Sequence, residues 1–137
     1  MTEIVIWSIS HGILNAIIPI ENVKTLKIDE DTNSMFVGSG KEMLQYTLNG
    51  HLIRKISFDD EITAINFFGS GFTTFDKYVL LGFRSGMIRL CAIEFDTGEF
   101  NVIQEKKVSL YAINDLVVDL SLFEVSVYDL EFLEDEL

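Results

Sequence analysis

Residues 42–51, EMLQYTLNGH, determine how the rest of this sequence is interpreted. A run rich in apolar residues ends at Tyr46-Thr47, and Asn49-Gly50 follows within two residues. Asn-Gly is a strong short-range hairpin signal because both residues tolerate positive φ. Two other stretches share this layout of strand and glycine turn: EIVIWSISHG at 3–12 and MIRLCAIEFDTG at 87–98. We therefore predict three copies of one strand-and-turn element.

Short apolar runs bounded by turn residues continue along the chain, whereas helical periodicity is rare. This pattern predicts an antiparallel all-β protein. Further turns are predicted at Ser39-Gly40, Ser85-Gly86 and Asp96-Thr97-Gly98, since glycine reaches positive φ without steric penalty. The strands are predicted at 3–9, 13–18, 23–28, 34–38, 42–48, 51–58, 62–68, 79–83, 87–95, 99–105 and 108–113.

The strands recur as a unit. We align VKTLKI at 23, ITAINF at 62 and VSLYAI at 108 as the first strand of successive units. A four-stranded unit of about 40 to 45 residues is typical of a β-propeller blade. The prediction is a partial propeller of about three antiparallel four-stranded blades, two complete and flanked by partial ones. The segments are a blade end at 1–20, blades at 21–58 and 59–105, and a partial blade with an acidic tail at 106–137.

The three strand-and-turn elements resemble the WD40 repeat, in which such a strand ends in a Trp-Asp pair. The corresponding pairs in this chain are Trp7-Ser8, Tyr46-Thr47 and Cys91-Ala92, so the match weakens along the sequence. The stretches GSGKEMLQYTL at 38–48 and GFRSGMIRLCAI at 82–93 are also similar to the glycine turn that leads into that strand. The resemblance implies a WD40-like propeller that presents loops and edges to other proteins.

A narrower resemblance covers about residues 3–113. LQYTLNGHLIRKISFDDEITAINFF at 44–68 and KYVLLGFRSGMIRLCAIEF at 77–95 are similar to the C-terminal repeats of BEACH-domain proteins. This resemblance implies a non-catalytic scaffold in vesicle or membrane trafficking. It also implies a cytoplasmic location, peripheral to endomembranes through partner proteins. The BEACH domain itself is not in this sequence.

Charge excludes one class of partner. The net charge is −12, from 22 acidic and 10 basic residues, and eight acidic residues but no basic ones follow Lys107. Such a surface repels nucleic acid and anionic lipid headgroups. No apolar run approaches the length of a membrane-spanning helix, and no basic n-region indicates a signal peptide. We expect protein partners, no nucleic acid and no direct insertion into a membrane.

The length of the sequence raises a question of closure, since a closed propeller has about 4 to 8 blades. A stack of three blades would leave an apolar sheet face exposed to solvent at each of its two ends. Three interpretations are compatible with this: the chain is a truncated fragment without independent activity, copies self-associate to close a ring, or further blades come from a longer parent chain or a partner.

Several residues could in principle bind a metal or take part in catalysis, and for each of them we prefer a purely structural role. Asp29–Asn33 fails the calcium-loop pattern, because Ser34 and Gly40 stand where glycine and glutamate are needed. We predict a solvated turn there, and an acidic loop between blades at Asp59, Asp60 and Glu61. His11 and His51 are predicted to flank turns. Cys91, the single cysteine, is predicted to be a buried thiol in a protein of a reducing compartment.

The remaining polar residues do not form a reactive set. Arg84 and Arg89 flank a turn of the kind at which partners dock, but surface arginines without a role are the simpler interpretation. The predicted inner strands are apolar except for Lys27 and Asn66. The tail SVYDLEFLEDEL at 126–137 is interpreted as a strand, a frayed end or a docking peptide. We therefore predict no enzyme, no catalytic, cofactor-binding or metal-binding residue, and no cofactor; a propeller enzyme is the rival hypothesis.

Overall fold

A computed structural model describes residues 3–68, 77–94, 97–119 and 124–128, with backbone alone at 68, 117–119 and 124–128. Its elements are all β-strands: β1 (Glu3–Ser8), β2 (Ile13–Pro19), β3 (Val23–Asp29), β4 (Ser34–Ser39), β5 (Glu42–Thr47), β6 (Leu52–Ser57), β7 (Ile62–Phe68), β8 (Lys77–Phe83), β9 (Met87–Ile93), β10 (Phe100–Lys107), β11 (Asp115–Asp119) and β12 (Glu124–Tyr128). Within these ranges there is no helix that could cross a bilayer.

The strands form four antiparallel sheets in chain order. Two four-stranded sheets, β3-β4-β5-β6 and β7-β8-β9-β10, are flanked by the two-stranded hairpins β1-β2 and β11-β12. The predicted all-β class, with two complete blades flanked by partial ones, is confirmed. The predicted segment boundaries after residues 20, 58 and 105 stay a prediction. The sheets are called blade 1 and blade 2 below.

The blades stack face to face around their first strands, because β3 contacts β7 and β7 contacts β11. The second strand of each blade is therefore buried on both faces. In β4, Met35 and Val37 face the hairpin β1-β2, while Phe36 faces blade 2. In β8, Val79 and Leu81 join Phe36 in that core between the blades. This explains why β4 and β8 are continuous apolar runs, as expected for strands covered on both sides.

One close approach repeats from blade to blade. A Cβ atom on Gly38 would lie 2.9 Å from Cγ2 of Ile62, the first residue of the next blade. A Cβ atom on Gly82, at the equivalent position of blade 2, would lie 2.5 Å from Cγ2 of Ile113. Only glycine leaves this space, so each second strand accepts an isoleucine from the following segment. Ile113 is thus the counterpart of Ile62.

This equivalence corrects the predicted strand at 108–113. Residues 108–114 are irregular in the structure, and the first strand of the third repeat is β11. The N–H groups of Val108 and Ser109 donate to the Gly86 carbonyl, and that of Ile113 donates to the Phe83 carbonyl. The segment therefore wraps over the β8–β9 turn instead of pairing as a strand. The alignment of Val108 with Ile62 was wrong by five residues.

The predicted turns are confirmed where the structure describes them. Gly50, the second residue of the Asn-Gly turn, has a φ of +88°, which residues other than glycine rarely adopt. Positive φ also occurs at Gly12, Gly40, Gly86 and Gly98. Asp96 of the Asp-Thr-Gly turn lies outside the described residues.

Blade 1 is joined to blade 2 by a buried ion pair. Lys77 Nζ, at the start of β8, lies 3.0 Å from Asp29 Oδ1 at the end of β3, and the two side chains are 9% and 2% exposed. The ammonium group also lies 4.7 Å from the centroid of the Phe67 ring. Asp29 further accepts hydrogen bonds from Thr32 Oγ1 and the Asp31 N–H. The carboxylate is thus satisfied without solvent, so the prediction of a solvated turn is wrong for Asp29 but holds for Glu30, Thr32 and Asn33, which are exposed.

A chain of hydrogen bonds continues from this ion pair across blade 1. Thr32 bonds to the Ser34 hydroxyl, Gln45 Nε2 donates to that hydroxyl, and Arg54 Nε donates to Gln45 Oε1. Arg54 Nη1 then donates to the Gly98 carbonyl in the β9–β10 turn. These hydrogen bonds therefore connect all four strands of blade 1, from β3 to β6. Both ends of the hydrogen-bond network reach blade 2, one at Lys77 and the other at Gly98.

Replacing Lys77 with methionine leaves the Asp29 carboxylate buried without its cation. Removing one partner of a buried pair costs about 3–5 kcal/mol, so the free energy of unfolding should fall by about that amount in urea titrations. The control is Lys55→Met, which breaks the exposed pair between Lys55 and Glu42. That change should cost about 1 kcal/mol or less. Equal losses for the two variants would contradict this role of the Lys77 ion pair.

Candidate protein-interaction surface

One end of the blades carries the β4–β5 and β8–β9 turns together with the segments that connect successive blades. We call this end the rim surface and define it as residues 39–41, 58–61, 84–86 and 107–114. Backbone hydrogen bonds join the turns to the connecting segments, because the Ile62 N–H donates to the Gly40 carbonyl and the Arg84 N–H donates to the Glu61 carbonyl. The rim surface is therefore built on a hydrogen-bonded frame.

Arg89 supports the rim surface from beneath. Its Nη2 lies 2.8 Å from Asp59 Oδ1, its Nε lies 2.8 Å from Glu105 Oε2, and its side chain is 11% exposed. Its guanidinium carbon also lies 4.5 Å from the Phe83 ring centroid and 5.6 Å from that of Phe58. A guanidinium plane that stacks on rings and binds two carboxylates is a structural brace. The interpretation of Arg89 as a surface arginine is wrong.

The pKa values of this group follow from the same contacts. The Arg89 hydrogen bond is the main reason that the pKa of Asp59 lies below its usual value. Burial raises the pKa of Asp60, but hydrogen bonds from Ser85 and from the Glu61 N–H outweigh it and leave the pKa low. Burial lowers the pKa of Arg89, whereas its bonds to Glu105 and Asp59 raise it more. Asp59 and Asp60 are therefore ionised and hydrogen-bonded at neutral pH, since the pKa of each lies below the usual value of an aspartate.

This acidic loop joins the blades, as predicted. Asp59 binds Arg89, Asp60 accepts the Ser85 N–H at 3.1 Å, and Glu61 lies 3.3 Å from Arg84 Nη1. Each carboxylate has its own partner, and the three are not directed at one point as a catalytic pair would be. Arg84 is 71% exposed, so the rim surface presents its guanidinium group to solvent together with the exposed Lys41 and Lys107.

The rim surface has an apolar cleft in the segment that follows β10. Its volume is about 370 Å³. The Leu110 side chain is 83% exposed and Tyr111 is 39% exposed, so apolar and aromatic groups face solvent. Sequence reasoning missed this feature, because it placed both residues in a buried inner strand. No fixed spacing in the sequence could have found it, because 24 residues separate Gly38 from Ile62 whereas 31 separate Gly82 from Ile113. The cleft is lined by Lys107, Val108, Ser109, Leu110 and Tyr111.

The two histidines flank turns and are exposed, as predicted. His11 Nδ1 lies 3.0 Å from Ser8 Oγ and 3.1 Å from Ser10 Oγ in the β1–β2 turn. The backbone N–H of His51 donates to Thr47 Oγ1 in the β5–β6 turn. In the described ranges no group of three His, Cys, Asp or Glu residues is placed to hold a metal ion.

The polar residues of the inner strands are also structural. Asn66 Nδ2 donates to the Leu116 carbonyl at 2.6 Å, and its Oδ1 accepts the Phe67 N–H at 2.8 Å. Asn66 therefore ties the first strand of blade 2 to that of the next repeat. Lys27 is half-buried in β3. Of the predicted tail at 126–137, residues 129–137 lie outside the described residues.

Cys91 is a buried thiol, as predicted, with no exposed surface. Burial raises its pKa to about 12, although the charge of Arg89 acts in the opposite direction. The reactive form of cysteine is the thiolate, so Cys91 is unsuited to nucleophilic chemistry at neutral pH.

Cys91 should therefore resist alkylation by iodoacetamide at pH 8 in the folded protein and react once the protein is unfolded in guanidinium. A Ser57→Cys variant supplies an internal control, because Ser57 is exposed in β6. Mass spectrometry should find one label on the folded variant and two after unfolding. Prompt labelling of Cys91 in the folded wild-type chain would contradict its burial between the blades.

No protein-family model and no curated protein sequence matches this chain. Solved structures do match. A chain of the crystal structure of the mitotic checkpoint complex superposes with a TM-score of 0.73 at 11% identity, over 95% of this chain and 40% of that one. The WD40 domain of SCAP from fission yeast gives 0.61 at 14% identity, over 84% and 31%. The crystal structure of BBS1N in complex with ARL6DN gives 0.60 at 14%, over 86% and 41%.

These identities are low, so the likeness concerns the fold alone. The chain spans less than half the length of each of these structures, which agrees with a stack of two complete and two partial blades. The contacts of β7 with β3 and with β11, the first strands of the neighbouring repeats, indicate a stack of blades independently of these comparisons. The chain therefore has the fold of a WD40-like β-propeller segment.

Proposed function

We propose that this chain is a non-catalytic protein–protein interaction scaffold and that its rim surface binds the partner. The observation that carries the proposal is the apolar cleft of the rim surface, at which Leu110 and Tyr111 are exposed to solvent. Tyrosine and arginine are enriched among the residues that dominate protein interfaces, and an apolar anchor in a cleft is the usual centre of such a site.

The net charge of the chain favours a particular kind of partner. The rim surface itself is balanced, with Lys41, Arg84 and Lys107 against Asp59, Asp60 and Glu61, whereas the whole chain carries a net charge of −12. A partner with an apolar anchor and a net positive charge would be attracted at long range, and its association would weaken as salt rises. The groups that could have served catalysis are instead bonded to neighbouring strands and loops, which supports a scaffold over the rival enzyme hypothesis.

The structural neighbours support the same class of function. Two of them are structures of protein complexes, the mitotic checkpoint complex and BBS1N with ARL6DN. A scaffold that works inside a protein assembly is therefore in keeping with its fold. The partner proposed for this chain is another protein and not a nucleic acid.

We propose further that the chain belongs to a BEACH-like protein that acts in vesicle or membrane trafficking. The support is the sequence resemblance over residues 3–113. The expected location is cytoplasmic, at endomembranes through partner proteins. The test is the transcript that encodes this chain. An open reading frame for a BEACH domain upstream in that transcript would support the placement, and a complete transcript without one would contradict it.

The scaffold proposal is tested by affinity capture with the purified chain from extracts of its source cells, followed by quantitative mass spectrometry. Leu110→Asp places a charge in the apolar cleft and should reduce capture of the specific partner at least tenfold. Leu52→Asp is the matched control, because Leu52 is 52% exposed on β6 and lies outside the rim surface. That variant should capture the partner as well as wild type.

Two outcomes of this experiment would contradict the proposal. If no protein is captured above background by wild type, the scaffold function is wrong. If capture is specific but equal for Leu110→Asp and wild type, the rim surface is not the binding site. Circular dichroism of both variants shows that loss of capture does not come from unfolding.

A further inference from the structure

We propose that Gly86 is the positioning residue of the rim surface. The space left by its missing side chain seats residues 108–112, so that Leu110 and Tyr111 are presented before a partner binds. We call residues 108–112 the strap. The inference rests on the proposed function, because it concerns how the binding cleft of the rim surface is held, and it adds a residue that the partner itself need not touch.

The strap begins on the same backbone frame as the connection between blade 1 and blade 2. The Phe58 N–H donates to the Lys41 carbonyl at 2.8 Å, and the Val108 N–H donates to the Gly86 carbonyl at 3.0 Å. Lys41 and Gly86 each directly precede the third strand of their blade. The two residues are therefore equivalent, and so are the connections that begin at Phe58 and at Val108.

The strap and the turn beneath it are each one residue longer than their counterparts in blade 1. The β4–β5 turn has two residues, 40–41, whereas the β8–β9 turn has three, 84–86. Up to the isoleucine that enters the preceding blade, the strap has five residues and its counterpart at 58–61 has four. The longer connection therefore crosses the longer turn.

Only a residue without a side chain fits beneath the strap. A Cβ atom on Gly86 would overlap the carbonyl oxygen of Ser109 and would lie 2.9 Å from the carbonyl oxygen of Tyr111. The Ser109 N–H donates to the Gly86 carbonyl at 3.3 Å, so the backbone of the strap lies directly on this residue. Lys41 carries a side chain at the equivalent position of blade 1, where the connection is shorter. Glycine is thus required where the strap crosses the turn.

This seat determines which groups of the strap face solvent. The carbonyl oxygens of Ser109 and Tyr111 lie toward Gly86, and the Tyr111 N–H donates to Ser109 Oγ at 3.0 Å. Leu110 lies between these two residues and is 83% exposed. A surface that is already held in its binding conformation loses less conformational entropy when a partner binds. Gly86 should therefore raise the affinity for the partner without a contact of its own.

Hydrogen–deuterium exchange of the full chain, measured by mass spectrometry, tests the seat. Gly86→Ala should displace the strap, so that peptides covering residues 108–113 exchange at least tenfold faster, while peptides of blade 1 exchange as in wild type. Gly12→Ala is the matched control, because Gly12 also has a positive φ, of +63° against +89°. No described atom beyond its chain neighbours lies within 4 Å of the position of its Cβ. Both variants strain a turn, and only Gly86→Ala should release the strap.

Affinity capture with the same variants tests the effect on binding. The probe is the protein that the wild-type chain captures specifically from extracts of its source cells. Gly86→Ala should bind it at least tenfold more weakly, although Leu110 and Tyr111 are unchanged. Gly12 lies outside the rim surface, so Gly12→Ala should bind it as wild type does.

A second variant keeps the test decisive if Gly86→Ala does not fold. Ser109→Ala removes the oxygen that accepts the Tyr111 N–H and leaves the β8–β9 turn intact. Exchange in the strap should become faster, and the captured protein should bind at least threefold more weakly. Unchanged exchange together with unchanged binding in this variant would count against a strap that is held for the partner.

The two measurements fail in different ways. Exchange of the strap in Gly86→Ala that equals exchange in wild type or in Gly12→Ala would overturn the inference. Release of the strap without loss of binding would overturn the role of Gly86 in binding and leave the scaffold proposal standing. A wild-type chain that captures no protein would overturn the scaffold proposal and that role with it, whereas the exchange data would still decide whether Gly86 seats the strap.

Discussion

The structure depends on burying the second strand of each blade on both of its faces. Phe36 of β4 is fully buried against blade 2, while its neighbours Met35 and Val37 are buried against the hairpin β1-β2. A single sheet cannot cover such a strand, so each blade requires a neighbour on either side. The stack, the close approaches at Gly38 and Gly82, and the apolar surface left at both of its sides all follow from this requirement.

Polar groups in this stack are used to fix how the blades meet. Lys77 and Asp29 pair between blades at one end, and Arg89 binds Asp59 and Glu105 at the other. Apolar contacts alone are not directional, whereas these bonds hold one arrangement of blade on blade. These side chains are bonded within the stack, whereas the proposed partner surface includes Leu110, whose side chain faces solvent.

The sequence was sufficient to predict β1 through β10, because their apolar runs are separated by polar turns, five of which carry a glycine of positive φ. It failed after β10 for a physical reason. Val108, Leu110 and Ala112 alternate like strand residues. The N–H groups of Val108 and Ser109 nevertheless donate to the Gly86 carbonyl of the β8–β9 turn, and Leu110 faces solvent. Periodicity reports which side chains are apolar and not which backbone groups are already paired. The braces at Lys77 and Arg89 were missed because each joins residues far apart in the sequence: 48 residues separate Asp29 from Lys77, and 30 separate Asp59 from Arg89.

The most direct test of the central claim is a double-mutant cycle across the interface between the two blades. The Phe36 ring of blade 1 and the Phe67 ring of blade 2 lie 5.3 Å apart between centroids, and the two residues share no sheet. Unfolding free energies of Phe36→Leu, Phe67→Leu and the double variant should show a coupling of about 0.5–1.5 kcal/mol. Strictly additive losses would mean that the blades do not pack face to face and would contradict the account.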